Sequence, residues 1–167
     1  MEQGILSILV SNHSGVLTKV TGLFGRRGYN IKALSVAETE NPAFSRITIL
    51  TDGDLAQLEQ IHRQVCKLEE VKEATLLPAD KFFGRELMLV KLCPPEDLKD
   101  SFLETLAKST AKITAKSGTC YFVEVTGTHD TLDDLVTQLD PFGIVELSRT
   151  GITALELGDN ALTPQYQ

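Results

Sequence analysis

One apolar pattern, strand, helix, strand, strand, helix, strand, runs through the first half of this 167-residue chain and is repeated more loosely in the second. That repetition constrains the fold more than any other feature. Ile5 to Val10 is a short apolar run bounded by polar residues, which reads as a buried strand. From about Gly15, Val16, Leu17, Val20, Leu23 and Phe24 fall on one face of a helix. Gly28 suits a left-handed helix terminator. A second strand runs from about Ile31 to Glu38, Asn41-Pro42-Ala43 makes a turn, and the β-branched segment Arg46 to Thr51 makes a third strand. Asp54 and Gln57 have the spacing of a capping box. They precede the stripe Leu55, Leu58, Ile61, Val65 and Leu68, and a fourth strand follows at about Val71 to Leu77.

Turn residues and charge between Pro78 and Gly84 place a boundary there, giving expected units at 1–78 and 79–167. In the second, Glu86 to Leu92 is a strand, and Pro94-Pro95-Glu96-Asp97 opens a helix with Pro95 at its first position. Leu98, Phe102 and Leu106 form its buried stripe. Lys112 to Lys116 and Cys120 to Val125 read as strands joined at Ser117-Gly118. Leu132, Leu135, Val136 and Leu139 mark another helix, ended by Pro141-Phe142-Gly143. Ile144 to Leu147 and Ile152 to Leu157 are short strands, and the tail beyond Gly158 is expected to be loose. The expected class is α+β: two ferredoxin-like βαββαβ units, each with helices on one sheet face. The other face or the sheet edge is then left to meet something else, so self-association is expected on physical grounds.

The charge balance excludes several partners. A formal net charge of -7 with no lysine or arginine run argues against DNA, RNA or an anionic membrane. No stretch approaches the ~20 apolar residues of a membrane span, and the N-terminus lacks the pattern of a signal peptide, so a cytoplasmic location is expected. Cys66, Cys93 and Cys120 stand singly, and an odd number cannot all pair within one chain; three reduced, mostly buried thiols are expected. Among the histidines, His13 is expected in an exposed loop, His62 on a helix surface and His129 in a turn. No pair of them has metal-ligand spacing. The acid pairs Glu69-Glu70 and Asp133-Asp134 read as solvated helix ends, and Gly25-Arg26-Arg27-Gly28 as a helix end capped by cations. The glycines match neither a Walker A loop nor a dinucleotide fingerprint. No catalytic residue and no metal site is expected.

The chemistry concentrates where the first strand turns into the first helix. Asn12, His13, Ser14 and Gly15 lead into Val16 and Leu17. A helix N-terminus offers unpaired N–H groups and partial positive charge, suited to a carboxylate. Gly15 lets a ligand approach the backbone closely, and Asn12 both donates and accepts hydrogen bonds. Asn30 and Ile31 follow the Gly28-Tyr29 turn and could flank the same region or the matching region of a partner. Together these groups could hold a zwitterion with an aliphatic side chain. The same residues also suit ordinary helix capping.

The segment NHSGVLTKVTGLFGRRGYNIKALSV, followed by the SRITI strand, closely resembles the ACT domain of acetolactate (acetohydroxyacid) synthase small subunits. RELMLVKL resembles the start of that family's C-terminal domain, and PFGIVELSRTG a signature near its end, so the similarity spans about Ile5 to Gly158. The chain departs from the pattern at Lys19, where arginine is common, and in the compact segment from Lys112 to Cys120. The resemblance implies an N-terminal ACT domain and a C-terminal ACT-like domain in a regulatory, non-catalytic subunit. It implies a homodimer in which ACT sheets join side by side, with valine, or leucine or isoleucine, bound where two ACT domains meet. Effector contacts would fall on Asn12, His13, Ser14, Gly15, Val16, Leu17, Asn30 and Ile31. The two asparagines would take the polar head, residues 15–17 would supply N–H groups, and Val16, Leu17 and Ile31 an apolar wall. It also implies a large catalytic subunit carrying thiamine diphosphate, magnesium and FAD, with no cofactor on this chain. A tandem ACT sensor acting on another enzyme or a transcription factor is the alternative.

Overall fold

The structure, a computed structural model, describes residues 2–78 and 80–163. Met1, Ala79 of the expected boundary segment and residues 164–167 of the expected loose tail lie outside the described residues. The first six elements are β1 (Glu2–Ser11), α1 (Val16–Arg26), β2 (Ile31–Glu38), β3 (Phe44–Gly53), α2 (Leu55–Val65) and β4 (Val71–Leu77). Then come β5 (Phe82–Leu92), a 3-10 turn at Glu96–Leu98, α3 (Lys99–Ala107), β6 (Lys112–Ser117), β7 (Cys120–Gly127), α4 (His129–Leu139), β8 (Ile144–Arg149) and β9 (Thr153–Glu156). Strands lie in the order β2-β3-β1-β4 in one sheet and β6-β7-β5-β8 in the other, with β9 paired to β5. Both are antiparallel and both have the ferredoxin-like order.

Alternation along the strands decides what each sheet buries. In the first unit, Leu6, Ile8 and Val10 of β1 and Ile47 and Ile49 of β3 meet Val20, Leu23 and Phe24 of α1 and Leu58, Ile61 and Val65 of α2. Each fully buried side chain of this kind stabilises by about 1.5–3 kcal/mol relative to exposure. Leu55, the first residue of α2, stays 60% exposed because it lies at the edge of the stripe. The capping box at Asp54 and Gln57 is formed in both directions. Gly28 has φ 72, and its N–H and that of Tyr29 bond back to the last turn of α1, so the terminator takes the expected form. In the second unit, Met88, Val90 and Leu92 of β5 and Val123 and Val125 of β7 pack with Phe102, Leu106, Leu132 and Leu139. Pro95 precedes a 3-10 turn instead of opening an α-helix, so α3 starts only at Lys99.

The chain divides into one unit of residues 1–84 with 152–167 and another of residues 85–151. The expected division at 78 and 79 differs in ending the first unit before residue 84 and in where it puts residues 152–163. These return to the first unit, where Ile152 and Ala154 pack on Ile5, Leu50 and Leu77, on the sheet face away from the helices. Arg46 Nη2 donates to the Leu162 carbonyl at 2.8 Å. The described part of the tail is therefore fastened, and part of the sheet face expected to be open is covered by the chain itself.

Cys93 and Cys120 are bonded to each other, and Cys66 is exposed, which corrects the expectation of three free thiols. The cause is register. Leu92 of β5 faces Tyr121 of β7, so Cys93, just after β5, meets Cys120, the first residue of β7. Closing a loop across 27 residues stabilises by about 3–4 kcal/mol in the chain-entropy account. Iodoacetamide should label one thiol, Cys66, without reductant and all 3 cysteines after reduction. Labelling of Cys66 should be slow, because desolvation holds its thiol above the ordinary 9.0. Rapid labelling of all three in unreduced protein would contradict the pairing.

Candidate functional site

The eight residues singled out in the sequence fall at two places in the first unit. Asn12 to Gly15 form the turn between β1 and α1, and Val16 and Leu17 open α1. Asn30 immediately precedes β2, an edge strand, and Ile31 opens it. Helix α1 separates the two groups: at 1.5 Å per residue its 11 residues span about 16 Å. Within one chain, Asn30 does not reach the Asn12 turn.

The turn is held by the strands beside it. The Asn12 N–H donates to the Ala43 carbonyl at 2.8 Å. Asn12 Nδ2 donates to Glu38 Oε1 at 2.9 Å and to the Pro42 carbonyl at 2.8 Å. Both amide hydrogens are thereby used, and Oδ1 is left as an acceptor. His13 is exposed, with its N–H on the Ser11 carbonyl at 3.2 Å and Nδ1 against the Ser14 carbonyl at 3.1 Å. Ser14 is also exposed.

Gly15 is the residue before α1 and has φ 87, in the left-handed region that favours glycine. A Cβ there would meet nothing within 4 Å among the described residues. Among the described residues no side chain caps α1, whereas Asp54 caps α2 and Thr128 caps α4. Ordinary capping by Asn12 or Ser14 is therefore not what these residues do. The N–H groups of Val16, Leu17 and Thr18 belong to the unpartnered first turn of a helix. No acidic residue lies in that turn, so its partial positive charge is not offset from within the helix.

The apolar residues divide differently from the expectation. Val16 is 3% exposed and Ile31 is half-buried, and both pack on the first unit's core. Leu17, at 40% exposure, is the side chain the turn presents outward. Asn30 is exposed and its carbonyl accepts from Thr51 Oγ1 at 2.6 Å.

Behind the turn, Glu70 is buried and paired with Lys19 of α1, and its carbonyl accepts from the Ser11 N–H at 2.9 Å. It is not the solvated helix-end acid expected of Glu69-Glu70. The hydrogen bond from Lys19 holds the Glu70 carboxyl below its ordinary 4.5, and Glu70 holds the Lys19 ammonium above 10.5. Stability from the lowered carboxyl is present above 4.5 and lost as pH falls through the lowered value. Stability from the raised ammonium is present below 10.5 and lost as pH rises through the raised value. Lys19→Met should therefore lower Tm at neutral pH, by a modest amount because water screens the pair. The gap to the parent protein should narrow as pH falls from 4.5 through the lowered value of the carboxyl. A gap that stays constant in melts across that range would contradict the pairing.

The second unit holds a network that sequence reading missed. Glu86 is buried on β5. His129 Nδ1 lies 2.9 Å from its Oε1, and Arg149 Nε and Nη2 donate to its Oε2 at 2.8 and 2.6 Å. Arg149 also pairs with Asp133. His129 is thus the first residue of α4 and not a turn residue, and Asp133 is not merely a solvated helix end. His62 is half-buried, with Nε2 at 2.8 Å from the Ala74 carbonyl. Glu86 and Arg149 lie 63 residues apart, and only the β5–β8 pairing, which sets Met88 opposite Arg149, brings them together.

A ferredoxin-like unit with a glycine-lined, uncapped helix turn beside its edge strand is the architecture of ACT-type regulatory domains. The sequence profile described as "AHAS small subunit-like ACT domain" matches residues 6–73, and that described as "Small subunit of acetolactate synthase" matches residues 85–158. The acetolactate synthase isozyme 3 small subunit of Salmonella typhimurium is 40% identical over 159 residues, covering 95% of this chain and 98% of that protein. A probable acetolactate synthase small subunit of Methanothermobacter thermautotrophicus is 38% identical over 159 residues, covering 95% of each. The crystal structure of the acetolactate synthase small subunit from Thermotoga maritima superposes with a TM-score of 0.86 at 31% identity, covering 96% of this chain and 100% of that one. The chain belongs to the acetolactate synthase small subunit family, a family of regulatory rather than catalytic subunits of branched-chain amino acid biosynthesis. Both units match that one family, which decides against a tandem ACT sensor built for another enzyme.

Proposed function

We propose that this chain pairs with a second copy through β2 and binds valine, or leucine or isoleucine, between the α1 turn of one protomer and the start of β2 of the other. The observation that carries the reading is the separation of the two asparagines at opposite ends of an open edge strand. The far half of β2, Val36, Ala37 and Glu38, is exposed, and no proline interrupts the strand. An antiparallel two-fold pairing centred between Leu34 and Ser35 sets Ile31 opposite the partner's Glu38. It brings the partner's Asn30 beside the Glu38–Asn12 hydrogen bond. The ligand carboxylate then meets the N–H groups after Gly15. Its ammonium meets Asn12 Oδ1, Glu38 and the partner's Asn30, and its side chain lies against Leu17. Neither protomer completes this seat alone, so ligand binding stabilises the pair.

The dimer associates in the cytoplasm with a large catalytic subunit that carries thiamine diphosphate, magnesium and FAD. This chain supplies none of those groups. It raises the partner's activity and makes it sensitive to the end product. Allosteric coupling of this kind amounts to about 1–3 kcal/mol, or about 5- to 150-fold in affinity. One methylene is worth a similar amount in an apolar pocket, so the three branched amino acids should differ in affinity by modest factors.

Calorimetric titration of the purified chain with valine, leucine and isoleucine in turn, combined with sedimentation, tests the reading. Saturable binding of at least one of them, with a dimer that tightens at saturation, is expected. Absence of binding by all three, or equal affinity in a dilute monomer, would overturn it.

A further inference from the structure

The returning C-terminal segment roofs a cavity of about 220 Å³ on the face of the first sheet away from the helices. Register organises its floor in rows. Ala33, Leu50, Ile5 and Leu77 lie side by side and are apolar, and residues 152–154 cover this row. The next row, Ser35, Thr48, Ser7 and Thr75, carries a hydroxyl on every strand of the sheet. The row after it sets Arg46 opposite Leu9. The cavity opens over Ser7, Thr75 and Arg46, with Glu40 and Glu156 also in its lining.

Arg46 stands on β3 inside the sheet, half-buried, where an unpaired charge is costly. Among the described residues it forms no ion pair with Asp or Glu. One N–H donates to the Leu162 carbonyl at 2.8 Å, and another reaches Ser7 Oγ only at 3.4 Å. A guanidinium has five N–H donors, so among the described residues these contacts leave three available to a carboxylate. The two acids of the lining would repel a ligand carrying only negative charge, but they suit an ammonium. At about 30 Å³ per water-sized atom, the space holds roughly seven non-hydrogen atoms. It lies below the ~300–1,000 Å³ of drug-sized ligands, so a nucleotide is too large.

We propose that this cavity binds a small α-amino acid. The carboxylate lies against Arg46 and the hydroxyls of Ser7 and Thr75, the ammonium toward Glu40 and Glu156, and the short side chain against Leu77 and Leu155. The site lies within one protomer, away from the α1 turn, and does not depend on the β2 pairing. Its occupancy ties residues 155–163 to the sheet.

The test is hydrogen exchange across residues 155–163 of the full chain with L-alanine, L-serine or L-2-aminobutyrate as probe, and with pyruvate as the oxo counterpart of alanine. At least one amino acid should slow exchange there by tenfold or more at saturation, and pyruvate should not. Arg46→Gln should weaken the response at least tenfold, while Gly15→Asp should leave it in place. If Arg46 only fastens the segment, Arg46→Gln will speed exchange with no probe present, and no probe will protect the parent protein; that result overturns the proposal. So would protection that survives Arg46→Gln, or protection lost in Gly15→Asp. Equal protection by pyruvate would overturn the assignment to an amino acid.

Discussion

Replacing Gly15 by aspartate is expected to remove valine sensitivity from the assembled synthase while the chain still folds and dimerises. The two effects of the change differ in size. In the free protomer the new side chain enters open space, since none of the described residues lies within 4 Å of a Cβ at that position. The left-handed backbone at φ 87 costs a side-chain-bearing residue about 1–2 kcal/mol, toward the low end for aspartate. In the proposed seat, the new carboxylate would stand where the amino acid's own carboxylate is placed. Two like charges about 4 Å apart repel by about 4 kcal/mol at an effective dielectric of 20, which is roughly a thousandfold in affinity. Ligand binding therefore suffers more than folding. Activity of the reconstituted complex, measured against valine concentration, checks this. Retained inhibition at the parent protein's valine concentration would place the effector elsewhere.

Arg149→Ala should be the most destabilising single change in the second unit, at about 3–5 kcal/mol. It strips a buried carboxylate of its main partner and leaves Glu86 charged inside the fold. Asp133→Asn removes the outer arm of the same network. Because Asp133 is more than half exposed, that change should cost less than about 1 kcal/mol. Replacing Glu86 together with Arg149 by apolar residues of similar volume should recover much of the loss, since no orphaned charge then remains. Hydrogen exchange across α4 and β7 measures all three variants. Equal costs for Arg149→Ala and Asp133→Asn would show that burial of Glu86 does not set the energetics.

How far each feature could be read from the chain depended on the range over which it is encoded. Periodicity placed α1, α2 and α4 and most strands, because a stripe such as Leu58, Ile61 and Val65 is a local signal. The Asp54–Gln57 cap was legible for the same reason. The turn from Asn12 to Leu17 lies on consecutive residues, so its place at the start of a helix was legible too. Which of its side chains face outward was not, because Val16 and Leu17 differ only in how the helix rolls onto the sheet. Features set by strand pairing left no local trace. Cys93 meets Cys120 through the β5–β7 register, and Glu86 meets Arg149 across 63 residues. The fastening of residues 152–163 was hidden for a related reason. Ile152 and Ala154 bury against a sheet formed from residues far earlier in the chain.

The central claim is that the α1 turn of one protomer and the start of β2 of another form a single seat. Amide-resolved titration of the dimer with valine tests this most directly. Signals of Gly15, Val16 and Leu17 should move together with those of Asn30 and Ile31, along one shared saturation curve. Movement of one group without the other, or a response confined to other parts of the chain, would contradict the claim.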